Sequence, residues 1–115
     1  MTTVTFFKRE NGSIEGFRAS GHAGFAAYGK DIVCAAISSL TQSTANGITD
    51  IVKADADVKC DADTGYLELM LKENRDIQKE HDAQILLKTL ELALTELSQD
   101  KQYTGTIRII IRERR

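Results

Sequence analysis

Two side chains able to form a thiolate–imidazolium pair, His22 and Cys34, stand at the two ends of a glycine-containing stretch. They belong to the run Gly21-His22-Ala23-Gly24-Phe25-Ala26-Ala27-Tyr28-Gly29-Lys30-Asp31-Ile32-Val33-Cys34-Ala35-Ala36-Ile37-Ser38. A chain that leaves a strand and re-enters a helix over such a stretch can bring imidazole and thiol together. The imidazole then takes the thiol proton, pairs with the thiolate and later protonates a departing amine. Asp31 reads as a helix-capping residue. That places Cys34 in the first helical turn, where free backbone N–H groups and the helix dipole favour a thiolate. The same residues admit a second reading. Flanked by Ile32, Val33, Ala35 and Ala36, Cys34 also fits a small buried hydrophobe, and a loop histidine is more often structural or solvent-facing than catalytic.

The elements that must position this pair follow from periodicity. Residues 3–8 and 14–19 are extended runs separated by Glu10-Asn11-Gly12-Ser13, and Asn-Gly between β-rich segments signals a hairpin. Residues 20–30 break both periodicities and hold Gly21, Gly24 and Gly29 with Phe25 and Tyr28, which reads as a mobile loop. From Asp31 a helical repeat takes over in Val33, Ile37, Leu40, Thr44, Ile48 and Ile51 or Val52. A second extended pair, 54–60 and 66–72, is joined by Asp61-Ala62-Asp63-Thr64-Gly65. A polar stretch, 73–82, leads to a helix with an apolar stripe of Leu86, Leu90, Ala93 or Leu94, and Leu97. Residues 103–112 read as a final strand with Ile107, Ile109 and Ile111 on one face. The order β-β-α-β-β-α-β predicts an α+β fold, a two-layer sandwich in which two helices cover one face of a mixed sheet. The pattern does not determine strand order.

Composition bounds the function. The 115 residues carry 15 Lys plus Arg, 17 Asp plus Glu, 42% apolar residues, two Cys and two His. One domain spanning 1–115 is expected, with a core that forms without disulfide or metal. A net charge of −2 argues against a dedicated DNA binder, which needs a strongly basic face. The longest apolar run is too short to cross a bilayer and the first residues lack a secretory pattern, so a cytoplasmic protein is expected. In a reducing compartment Cys34 and Cys60 are expected as free thiols, with no metal and no cofactor.

The run Gly21-His22-Ala23, a short loop and Gly29-Lys30-Asp31-Ile32-Val33-Cys34-Ala35-Ala36-Ile37-Ser38 resembles the bacterial ribosomal-processing cysteine protease family. The length and expected element order agree with that family over essentially the whole chain. The resemblance implies a Cys-His endopeptidase that removes a short N-terminal extension from large-subunit ribosomal protein twenty-seven, in support of ribosome assembly. It also implies a homodimer, with Cys34 as nucleophile and His22 as general base. Asp31 and Ser38 match the motif in supporting positions. Asp31 caps the helix, orients His22, or does both in different states; Ser38, one turn beyond Cys34, lines the site or bonds to the backbone. The 21–29 loop is then a substrate-binding lid, with Gly21 and Gly29 as hinges and Phe25 and Tyr28 as apolar contacts for a peptide. The rival from another class is a non-enzymatic assembly factor that binds a ribosomal protein through that loop.

The remaining chemically capable residues read as structural. Cys60 alternates with Val58 and is expected to face the core, a second redox thiol being the lesser reading. His81 is expected in a solvated first turn. Asp50, Asp55, Asp57, Asp61 and Asp63 lack the EF-hand ligand pattern and fit an exposed strand. Arg108, Arg112, Arg114 and Arg115 make a basic C-terminus that reads as a solvated strand and tail, so direct RNA contact is not expected.

Overall fold

The computed structural model describes residues 1–21, 28–73, 76–103 and 105–114, the side chains of residues 28–31 excepted. Strands β1 (Thr2–Lys8) and β2 (Ile14–Ser20) form the expected hairpin, with Phe6 opposite Phe17 and a register shift at Phe7/Lys8. Its turn is tied by the Asn11 side chain, whose Oδ1 accepts from the Ser13 amide at 2.9 Å. Helix α1 (Tyr28–Asn46) runs into a π-helical segment, Gly47–Val52, which Lys53 closes in the left-handed conformation. Strands β3 (Ala56–Asp61) and β4 (Tyr66–Leu71) make the second hairpin. Helix α2 (Ile77–Gln99), a short 3-10 turn (Lys101–Tyr103) and strand β5 (Ile107–Glu113) complete the chain.

The sheet order is β3-β4-β2-β1-β5, antiparallel except that β5 lies parallel to β1. This is the mixed sheet with two helices expected from the element order. Registered positions Val4, Phe6, Phe17, Ala19, Leu67, Leu69 and Ile107 share the helix-bearing face and are buried. Phe6 and Phe17 pack as a tilted pair with centroids 6.4 Å apart. The opposite face has a smaller apolar centre at Phe7, over which the Arg18 and Arg114 guanidinium groups each lie 5.5 Å from the ring centroid.

Where helix and sheet meet, the apolar stripes run slightly rotated from the expected ones. In α1 the buried residues are Val33, Ile37, Thr41 and Ala45, continued by Ile48, while Leu40 and Thr44 stand outside the core. Thr41 is tolerated inside because its hydroxyl donates to the carbonyls of Ile37 (2.8 Å) and Ser38 (3.2 Å). In α2 the stripe is Ala83, Leu87, Leu90 and Leu94; Leu86 is half-buried beside Gly47. That helix starts at Ile77, earlier than expected, because the Asp76 carboxylate accepts from the amides of Gln78 (3.0 Å) and Lys79 (3.2 Å). His81 is therefore exposed one turn further in than expected. Gln84 locks α2 to the sheet: its side chain accepts from the Ile14 amide at 2.8 Å and donates to the Ile14 carbonyl at 2.7 Å. Ile14 lies beyond the residues that pair β2 with β4, so the amide group of Gln84 takes the place of a missing strand partner.

Gly21 ends β2 with φ +101°, and a Cβ there would come within 2.5 Å of the Met1 carbonyl oxygen. Glycine is required at this point by backbone conformation and by close approach to the start of β1, which adds a static constraint to the hinge role expected from sequence. The packing generates two stability predictions. Leu90→Ala removes a side chain 2% exposed and is expected to cost about 2–5 kcal/mol, whereas Leu92→Ala, at 60% exposure on the same helix, changes stability by about 0.5 kcal/mol or less. Gly21→Ala is expected to cost roughly 2 kcal/mol. Urea unfolding midpoints of the three variants check these values, and a Gly21→Ala midpoint equal to wild type would refute the close-approach argument.

Candidate active site

Cys34 projects from α1 into a cleft between that helix and one end of the sheet. The described residues enclose a cavity of about 180 Å³. Helix α1 contributes Cys34, Ile37, Ser38, Thr41 and Gln42, a spacing that traces one edge of its buried stripe. Thr2 and Ala19 come from β1 and β2, and Gly21 lies at the end of β2. The second hairpin adds Cys60, Asp61, Ala62, Gly65, Tyr66 and Leu67. The half-buried Cys34 is a free thiol on the wall of this cavity.

The local setting of the sulfur differs from the one expected. Helix α1 begins at Tyr28, so Asp31 is its fourth residue and does not stand at the N-cap position, and Tyr28 and Gly29 belong to the helix and not to the loop. Cys34 consequently ends the second turn. In a regular α-helix its amide is directed to the carbonyl four residues back, and the unpaired N–H groups lie at the helix start, before Asp31. The dipole effect falls off within the first turn, so position along the helix gives Cys34 less than expected. The described side chain that reaches the sulfur is Thr2, whose Oγ1 lies 3.6 Å from Cys34 Sγ. Sequence reasoning missed Thr2, and with a separation of 32 positions no local pattern could have paired the two.

Ser38 lines the same cavity as Cys34 with its side chain exposed, one helical turn on, as the spacing predicted. His22 and Phe25 lie outside the described residues, as do the side chains of Tyr28 and Asp31, so the expected pairing of His22 with Cys34 and the lid contacts rest on sequence alone. Cys60 requires a correction. The register places it on the helix-bearing face opposite Leu67, but β3 is the edge strand and the helices do not cover it, so Cys60 is exposed at the rim of the cavity and not in the core.

Around the site, the acidic residues Asp57, Asp61 and Asp63 are exposed, with Asp57 paired to Lys72 at 3.4 Å. No group of three or more His, Cys, Asp or Glu suited to a metal ion occurs among the described residues. Arg114 is engaged with Phe7 and with Glu15 (3.6 Å), whereas Arg108 and Arg112 are exposed on β5. None of the described helices is long and apolar enough to cross a membrane.

Comparison with known proteins places this arrangement. The sequence profile of the family described as cysteine protease Prp matches residues 1–108. The ribosomal processing cysteine protease Prp of Bacillus subtilis (strain 168) is 25% identical over 109 residues, which cover 95% of this chain and 96% of that protein. The crystal structure of the ribosomal processing protease Prp from S. aureus in complex with a substrate peptide shares the fold, with a TM-score of 0.83 at 24% identity over 97% of this chain and 100% of that one. The S. aureus protease with a covalently linked product peptide gives a TM-score of 0.80 at 25% identity over the same shares. The profile and the relatives extend over nearly the entire chain, including the helix that carries Cys34 and the sheet that frames its cavity, and on that basis the chain belongs to the cysteine protease Prp family.

Proposed function

We propose that this protein is a cysteine endopeptidase that removes the short N-terminal extension of large-subunit ribosomal protein twenty-seven and thereby supports ribosome assembly. The observation that carries the reading is the position of Cys34, a free, half-buried thiol on the wall of a cavity, within a chain of the Prp family. Support for a covalent route comes from the S. aureus relative, whose structure holds a covalently linked product peptide.

The proposed reaction has two halves. His22 accepts the Cys34 proton, and the thiolate attacks the carbonyl carbon of the scissile bond. The carbon–nitrogen bond then breaks as the imidazolium returns its proton to the departing amine, which leaves a thioester on Cys34. Water, deprotonated by His22, attacks the thioester, releases the carboxylate and restores the thiol. Oxyanion stabilisation falls to N–H groups other than that of Cys34, which the helical ladder engages. Asp31 orients His22 from within the first turn of α1. Ser38 lines the site, and the 21–29 loop closes over the peptide. The enzyme acts in the cytoplasm as a homodimer without metal or organic cofactor, on a protein substrate and without gripping RNA.

Purified protein incubated with ribosomal protein twenty-seven bearing its extension, and followed by mass spectrometry, tests the reading. Wild type is expected to release the extension, and Cys34→Ala and His22→Ala each to lower kcat by at least about a thousandfold. Cleavage by Cys34→Ala at the wild-type rate would overturn the assignment of the nucleophile. Binding of the extended protein with no cleavage by wild type would favour a non-enzymatic assembly factor.

A further inference from the structure

We infer that Thr2 is a positioning residue for the Cys34 sulfur: its hydroxyl donates a hydrogen bond to the thiolate and so stabilises and aims the nucleophile from the sheet side of the cavity. The inference rests on the reading of Cys34 as nucleophile. It arises from a contact between two elements, since Thr2 opens β1 and Cys34 lies in α1.

Three features make Thr2 suited to this role. It alternates with Val4 and Phe6, so its side chain stands on the helix-bearing face of the sheet, and it is only 5% exposed. Its backbone is fixed on the strand's other edge, where the Thr2 amide donates to the Thr106 carbonyl at 3.1 Å and β1 lies parallel to β5 from the Thr2↔Ile107 pair onward. Thr106 is itself held by its amide and hydroxyl, both donating to the Tyr103 carbonyl. Among the described residues Cys34 Sγ is the hydrogen-bond partner of the Thr2 hydroxyl. When the sulfur is protonated either atom can donate; when it is a thiolate only the hydroxyl can. The bond therefore strengthens as the sulfur ionises. The hydroxyl keeps its proton throughout, and the thiol proton leaves by the His22 route. The titratable groups sharing the cavity among the described residues are Cys60, Asp61 and Tyr66 from the second hairpin. None of these provides a fixed donor from β1.

A donor to a thiolate has an unusual kinetic signature. It raises the thiolate fraction at a given pH while making each thiolate a weaker nucleophile, because nucleophilicity falls with basicity by a Brønsted factor of about 0.4–0.5. The experiment is iodoacetamide alkylation of Cys34 across pH, with Cys34 and Cys60 resolved by peptide mass spectrometry, in wild type, Thr2→Val and Thr2→Ser. Removing the hydroxyl is expected to raise the midpoint of the Cys34 profile by about one pH unit. Thr2→Val should then react about threefold more slowly below the midpoint and about threefold faster on the alkaline plateau. Thr2→Ser should follow wild type within about twofold, and in peptide cleavage the loss in Thr2→Val should fall on kcat with KM nearly unchanged.

If Thr2→Val unfolds at the assay temperature, Thr2→Ala, which opens space instead of adding an apolar group, is read by the same two rate changes. An unshifted midpoint, or a Thr2→Ser profile matching that of the valine variant, would overturn the inference. Alkylation needs no substrate, so the role of Thr2 can fail while the protease reading stands; the protease reading fails separately, if Cys34→Ala still cleaves.

Discussion

The burial of the α1 stripe against the sheet is the constraint on which the rest depends. Val33 and Ile37 are 1% and 2% exposed, and Cys34 lies between them in sequence. Because a helix is rigid over such a span, sinking these two side chains into the shared hydrophobic core fixes where the helix places Cys34. It emerges at the edge of the buried stripe, beside the end of the sheet. A residue whose own burial would yield little is held in place by neighbours whose burial yields much.

The same constraint explains how the walls of the cavity are supported. The sheet is held in register by two hairpins and by the parallel pairing of β1 with β5, which requires α2 to cross over the helix-bearing face. The crossover closes with Thr106 receiving the Thr2 amide, so the C-terminal part of the chain steadies the strand end nearest Cys34. Gln84 and the Arg9–Glu80 ion pair tie α2 to the far end of the first hairpin. Both ends of β1 are thus anchored to elements distant in sequence. The cleft side is left open toward β3, whose edge position exposes Cys60 and Asp61 at the rim.

Much of this is legible from periodicity alone. Both hairpins, both helices, the final strand and the α+β class follow from alternation, helical spacing and the Asn11-Gly12 turn, because each signal is local. The early start of α2 is local, set by the Asp76 cap, whereas the other departures arise where tertiary packing overrides a local preference. Polarity puts Leu40 inside and Thr41 outside, yet Thr41 satisfies its hydroxyl within the helix and packs inside. Tyr28 and Gly29 read as loop because glycine disfavours helices, yet α1 begins there. Alternation gives Cys60 the correct face but the wrong depth, since it reports which side of a sheet a residue occupies and not whether a helix covers it.

Residue types and their spacing pointed to Cys34, with His22 in the same two-part motif, as the proposed nucleophile and base, and they carried the chain's family resemblance, because Cys and His are chemically rare residues. They also separated Cys34 from Cys60 by context, although not by depth. The strand order, the depth of Cys34 in its helix and the approach of the Thr2 hydroxyl to its sulfur came from the folded chain. Each depends on which distant segments pair, and pairing across a sheet is settled by the summed burial of whole faces, a quantity that no local stretch of sequence contains.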